Sequence, residues 1–126
     1  MGAGHPECPQ RLDAIDDRLI AAGLDIALQR FDAPLAKLSD LELAHTTGYV
    51  PEFRDLLTEL EHSQRSCAID PDTVANPHTW AAALRAAGAA VAATELVISG
   101  ACENAFCAVR PPGHHATRDQ AIGFCF

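Results

Sequence analysis

An α/β fold is what the sequence predicts, and three observations predict it. Residues 77–98 form a long, alanine-rich helical stretch. Residues 104–109, Asn-Ala-Phe-Cys-Ala-Val, are an apolar run bounded by polar residues and by Arg110-Pro111, the pattern of a buried strand. That strand feeds into Pro111-Pro112-Gly113-His114-His115, and open α/β sheets hold their ligands beyond the carboxyl ends of the strands. With 126 residues the chain amounts to one domain or part of one.

Residues 1–8 read as a loop, with Pro6 and Pro9 bracketing Glu7 and Cys8. Leu12, Ile15, Leu19 and Ile20 recur at helical spacing and predict a helix over 9–22, with Pro9 in its first turn and Gly23 as its stop. Residues 26–32 alternate roughly before Ala33-Pro34 and predict a short strand. Ser39 and Glu42 make a capping-box pattern for a short helix over 40–45, with His45 at its end, packing locally or stabilising the helix C-terminus. Pro51 opens the next helix, whose apolar stripe is Phe53, Leu56, Leu57 and Leu60. It fades into the polar run 61–66, where His62 is solvated. Residues 68–73 are rich in turn formers. Asp70 and Asp72 there either bond their own backbone or form a pair aimed at a ligand. Asn76-Pro77 is an N-cap followed by proline at the first helical position, and it opens the 77–98 helix. Trp80, Ala83, Leu84, Ala87, Val91 and Leu96 are available for burial along it, and Gly100 ends it. Its small residues predict close packing. Gly88, at a cost of about 1 kcal/mol relative to alanine in a helix interior, marks a tight contact.

Hydrophobic residues make up 48% and charged residues 21%, the balance of a globular chain. The net charge of −8 argues against nonspecific binding to nucleic acid or to an anionic membrane, both of which need clustered Lys and Arg. It leaves basic proteins and polyamines open as substrates. The five cysteines are odd in number with no Cys-x-x-Cys pair, which reads as reduced thiols in a cytoplasmic protein. No run is read as apolar over the roughly 20 residues of a membrane helix. The N-terminus lacks the basic and apolar regions of a signal peptide, and Pro6 argues against myristoylation. No Gly-rich phosphate loop or Gly-x-Ser-x-Gly motif is present.

The chemistry concentrates at the histidines. Pro111 and Pro112 fix two φ angles and donate no backbone hydrogen bond, and Gly113 opens conformations closed to other residues. The stretch therefore presents His114 and His115 at a strand end with little slack. Adjacent residues point in different directions, so each imidazole needs its own partners. An imidazole of ordinary pKa, about 6.5, accepts and returns a proton near neutrality. Two of them suit a reaction with one proton transfer and one developing negative charge, such as amide hydrolysis by a metal-bound water. Gly123-Phe124 would bring backbone and an aromatic wall close to a narrow substrate. Arg11 starts the first helix beside the loop carrying His5, and is either solvated or directed inward.

Three segments together resemble the histone deacetylase family of the arginase/deacetylase superfamily. Arg110-Pro111-Pro112-Gly113-His114-His115-Ala116 with Gly123-Phe124-Cys125-Phe126 is similar to its signature loop. His5-Pro6-Glu7-Cys8-Pro9-Gln10-Arg11-Leu12 is similar to the His-Pro-Glu segment of its class II and bacterial amidohydrolase branch, and Asp70-Pro71-Asp72-Thr73 matches the turn before a small-residue helix. The resemblance spans nearly the whole chain and implies a three-layer α/β fold with a parallel sheet flanked by helices. It makes His115 the general base and His114 the second, mainly electrostatic histidine. The carbonyl of Gly123 and the ring of Phe124 would line the acyl-lysine channel. Asp72 would anchor substrate at the rim, with Asp70 a close competitor, and Arg11 would lie in an internal channel. The implied cofactor is zinc, held in the family by an Asp-x-His pair and a further Asp, expected downstream of Phe126 rather than within this chain.

The expectation is therefore a single partial domain over 1–126, missing a first strand and the metal-binding part, and inactive alone. The parent would be a zinc-dependent deacetylase acting on an acetylated protein or a small acylated amine, cytoplasmic, with no nucleic-acid or membrane partner and an open oligomeric state. The alternative function is a noncatalytic remnant that binds an acylated ligand or a protein partner. A small metal-binding module using His5, Cys8, His114 and His115 is a third, weaker possibility, since nothing resembles a closed zinc site with paired short spacing.

Overall fold

The computed structural model describes residues 4–126, so residues 1–3 of the predicted N-terminal loop lie outside the described residues. Helix α1 (Gln10–Ala21) follows Pro9, whose φ of −55° is already helical. Gly23 stops it in the left-handed conformation (φ 67°), and the Leu24 N–H donates back to the Leu19 carbonyl at 3.0 Å. Helix α2 (Leu38–Glu42) starts earlier than the Ser39–Glu42 pattern implies. Its opening carboxylate is Asp40, which accepts the Lys37 N–H at 3.2 Å. Helix α3 (Tyr49–Ser63) takes Pro51 into its first turn and buries Val50, Leu57 and Leu60.

Two strands follow, β1 (Cys67–Asp70) and β2 (Thr73–Ala75), paired antiparallel with Cys67 opposite Ala75 and an irregularity between Ala68 and Asp70. The stretch read as turn-rich is thus a hairpin around Pro71-Asp72. Asn76 then accepts the His78 N–H at 2.8 Å through its side chain, and helix α4 (Thr79–Ile98) begins two residues later than Pro77 suggested.

Two predicted strands do not form. Residues 26–32 hold only a 3-10 turn (Asp25–Ala27) and irregular chain, with Ile26 90% and Phe31 67% exposed. Residues 104–109 are likewise unpaired, and Phe106 is 74% exposed. A strand needs a neighbour for its N–H and C=O groups, and the described residues supply none at either place. The parallel sheet expected of the fold is accordingly not seen among them; the β1–β2 hairpin is the sheet they contain.

Helix α4 also corrects the membrane reading, because by length and composition it is apolar enough to cross a bilayer. Alanine, read above as a small helix former, carries that apolarity. The helix is docked on residues 33–36: the Ala36 N–H donates to the Leu84 carbonyl at 2.9 Å, and Arg85 donates to the Ala33 carbonyl at 2.6 Å. Gly88 makes the approach possible. A Cβ there would collide with the Pro34 carbonyl oxygen and reach the Ala36 nitrogen at 2.7 Å.

The core lies where α3, the hairpin and α4 meet. Leu57, Leu60 and Ala75 are its buried centre, with Phe53, Ile69, Trp80 and Phe126 packed around them. Phe126 stacks toward Phe53 with ring centroids 5.8 Å apart, and its N–H donates to the Pro112 carbonyl at 3.3 Å. Both sides of the histidine loop are thereby fastened to the core. Gly88→Ala gains intrinsic helix propensity but overpacks this crossing, so a net loss of about 1–3 kcal/mol is expected in denaturant unfolding. An unchanged or raised midpoint would show that the 33–36 segment moves aside.

Candidate active site

The hairpin corner builds the first wall. The Asp70 carboxylate accepts the Asp72 N–H at 2.7 Å and the Thr73 hydroxyl at 2.8 Å, which closes the turn locally. It also accepts the Gly123 N–H at 3.1 Å, while the fully buried Thr73 hydroxyl oxygen accepts the Phe124 N–H at 2.8 Å. These two long-range bonds hold residues 122–125 in a tight turn. Ile122 and Cys125 pair as an isolated bridge, and the central residues Gly123 (φ 59°) and Phe124 (φ 57°) are both left-handed. Positive φ at both central positions defines a type I′ turn. Glycine adopts it freely, whereas the conformation costs about 1–2 kcal/mol at a residue such as Phe124.

Phe124 held this way is surrounded by imidazoles. Its ring lies edge-on to His115 at 5.1 Å, His114 at 6.3 Å and His5 at 5.5 Å between centroids. His114 and His115 are 4.2 Å apart and nearly perpendicular, both exposed. The His115 Nδ1 lies 3.1 Å from the Gly123 carbonyl oxygen. A carbonyl can only accept, so Nδ1 carries the proton, leaving the Nε2 lone pair of the neutral ring free. The Gly123 carbonyl, expected to line the channel, is thus already engaged by His115.

The N-terminal segment closes the other side. The Glu7 N–H donates to His5 Nδ1 at 2.9 Å, so the His5 proton sits on Nε2, which donates to Asp72 Oδ1 at 2.8 Å. The Asp72 side chain is 55% exposed at the rim, whereas Asp70 is occupied by the turn. Arg11 is half-exposed and pairs with Glu7. Glu7, only 5% exposed, also accepts Arg110 Nε at 2.8 Å, so one buried carboxylate ties α1 to the start of the histidine loop. Sequence reasoning missed Glu7 and Thr73 as organising residues. Glu7 stands four positions before Arg11, a spacing that hints at the nearer pair, but nothing local signals Arg110 or Phe124.

Behind the site, His45 stacks on Tyr49 at 4.7 Å and Tyr49 on Phe53 at 5.5 Å. Burial, then the negative charge of Asp119, pushes the Tyr49 phenol up to about 12. It is neutral across the physiological range, and its hydroxyl has no partner among the described residues. His62 is exposed, as expected.

Residues 5–126 match the family model of the histone deacetylase domain. The chain belongs to the histone deacetylase family. It is 36% identical over 124 residues to a histone deacetylase-like amidohydrolase of Pseudomonas aeruginosa, covering 98% of this chain and 31% of that protein. It is 36% identical over 125 residues to the human polyamine deacetylase HDAC10, covering 95% of this chain and 19% of that one. The crystal structure of the HDA15 HD domain superposes with a TM-score of 0.85 at 33% identity, covering 99% of this chain and 36% of that one. The chain therefore shares the fold of that family's domain, an α/β fold, over its length, and it spans about a third or less of these relatives.

The residues present do not make the zinc site that the resemblance implies. No Asp-x-His occurs in the 126 residues. The donors that do converge among the described residues, His114, His115 and Cys125, are a sulfur-nitrogen set without a carboxylate. His5 and Cys8 of the imagined metal module are not part of that group.

Asp70 gives the hairpin corner a pH signature. Partial desolvation raises its pKa, but hydrogen bonds from the Asp72 backbone, the Thr73 side chain, and the Gly123 and Thr73 backbones outweigh it and hold the carboxyl below its ordinary value. A pKa lowered on folding contributes stability above the unfolded value, about 3.9, and that stability is lost as pH falls through the lower folded value. Unfolding free energy measured between about pH 6 and pH 2 should thus fall less steeply in Asp70→Asn than in the parent chain. Parallel curves would show that the carboxylate is not bonded as described.

Proposed function

We propose that these residues are the proton-transfer and channel-wall part of a zinc-dependent deacetylase acting on acetyl-lysine or a related acylated amine. The observation that carries this is the pairing of His114 and His115 against Phe124, with His115 Nδ1–H committed to the Gly123 carbonyl and Nε2 left free. Deacetylase names among the relatives support the reaction class. His115 takes a proton from water at Nε2 as the water oxygen bonds to the acyl carbon. It returns that proton to the departing nitrogen as the C–N bond breaks, giving a carboxylic acid and an amine, and the acid's remaining proton passes to the amine or to solvent, leaving carboxylate and ammonium. His114 stabilises the negative charge that develops between those events. Phe124 forms the apolar wall against the acyl-bearing alkyl chain, and Asp72, rather than the occupied Asp70, anchors the substrate backbone at the rim. Arg11 stays behind the site through Glu7. Zinc, held by carboxylate and histidine ligands additional to these residues, would supply carbonyl polarisation and an acidified water.

The parent locus tests this. Its reading frame should continue past the Phe126 codon into an Asp-x-His pair, and the longer product should release acetate from an acetyl-lysine peptide or an acetylpolyamine. His115→Ala in that product should lower kcat about 10²–10⁴-fold with KM little changed. A stop codon after Phe126, or a His115→Ala product of full activity, would contradict the catalytic reading. A stop would instead favour a chain that only binds acylated ligands.

A further inference from the structure

His5 takes no part in the chemistry above, yet both of its ring nitrogens are engaged. Nδ1 accepts the Glu7 N–H at 2.9 Å, and Nε2–H donates to Asp72 Oδ1 at 2.8 Å, across 67 positions of sequence. The side chain is only 14% exposed, and its ring packs edge-on against Phe124. The imidazole is therefore held by backbone and aromatic contacts independently of the carboxylate it meets. Asp72 has no comparable support of its own. Its N–H is spent on Asp70, which shapes the main chain of the hairpin corner, but its side chain stands half in water.

An open carboxylate visits several staggered rotamers, and ordering it only when substrate arrives weakens binding. The His5 bond does that ordering beforehand. It commits Oδ1 and leaves Oδ2, which has no hydrogen-bond partner among the described residues, as the remaining acceptor. We propose that His5 is a positioning residue: it preorganises Asp72 so that Oδ2 receives one N–H or N⁺–H donor of the substrate other than the acylated nitrogen. The rim then selects acylated amines that carry such a second donor, as a peptide backbone or a polyamine does, over plain N-acylalkylamines, which have none.

The selection rests on the deacetylase reading and on the rim role proposed above for Asp72; the His5–Asp72 bond itself does not. His5 acts through Asp72 and touches no reacting atom. Its loss therefore weakens a contact made alike in the bound substrate and the transition state, which raises KM and leaves kcat alone.

The longer product of the parent locus tests this with two substrates, an acetyl-lysine peptide and N-acetylbutylamine. His5→Phe keeps a ring against Phe124 but removes the donor. It should raise KM for the peptide about three- to tenfold, the worth of one hydrogen bond, with kcat within about twofold. On N-acetylbutylamine its kcat/KM should stay within about twofold of the parent's, because that substrate makes no rim contact. His5→Gln, which returns an N–H donor toward Asp72, should recover most of the peptide KM. In an Asp72→Ala background His5→Phe should add nothing, since the two residues act as one unit. If His5→Phe does not fold, His5→Asn takes its place, keeping a polar atom for the Glu7 N–H while being too short for Asp72. An unchanged peptide KM, a loss shared equally by both substrates, no recovery in His5→Gln, or a full further loss in the Asp72→Ala background overturns the proposal. A parent product that releases no acetate from either substrate refutes the deacetylase reading and this proposal with it, whereas an active parent with a silent His5→Phe refutes this proposal alone.

Discussion

The Asp70–Thr73 corner is the constraint on which the site depends. A phenylalanine in the left-handed region is unfavourable by itself, and a two-residue reversal has no core of its own to hold it. The hairpin supplies what is missing. A carboxylate oxygen receives the Gly123 N–H, and a buried hydroxyl receives the Phe124 N–H. Those oxygens are themselves fixed, because Thr73 donates to Asp70 and Asp70 caps its own turn. With both amides pinned, the Gly123 carbonyl orients His115 and the Phe124 ring faces both loop histidines.

A second device ties the two ends of the chain together. Glu7 is buried between Arg11 and Arg110, which lies 103 residues away in sequence. Burying a carboxylate is costly unless partners compensate its lost hydration. Here two guanidiniums do so while keeping part of their own surface in water. The same segment sends His5 to Asp72, so the rim carboxylate, the aromatic wall and the histidine loop share one framework of polar contacts.

What was legible in the sequence follows from the range of the interactions involved. Helices α1, α3 and α4 were readable because their apolar stripes and stop signals are local, and Gly88 announced a close approach that the structure places at residues 33–36. Residues 26–32 and 104–109 were misread because alternation and apolarity describe a strand only when a neighbour exists. The histidine loop and its Gly-Phe step were legible as a family pattern, and the family match bears that out. Thr73 and Glu7 were not, since their importance lies in bonds to Phe124 and Arg110 that no spacing rule reveals. The choice between Asp70 and Asp72 stayed open in the sequence. In the structure they divide the work, one closing the turn and one facing solvent with His5.

The most direct measurement of this account is amide hydrogen exchange at Gly123 and Phe124, read by NMR in the parent chain and in Asp70→Ala and Thr73→Ala. The corner predicts both amides protected in the parent chain. Asp70→Ala should expose Gly123 most and Thr73→Ala should expose Phe124 most, with helix α3 protection retained in each. Unprotected exchange at both amides in the parent, or protection that survives both substitutions, would mean that the turn is held by something else.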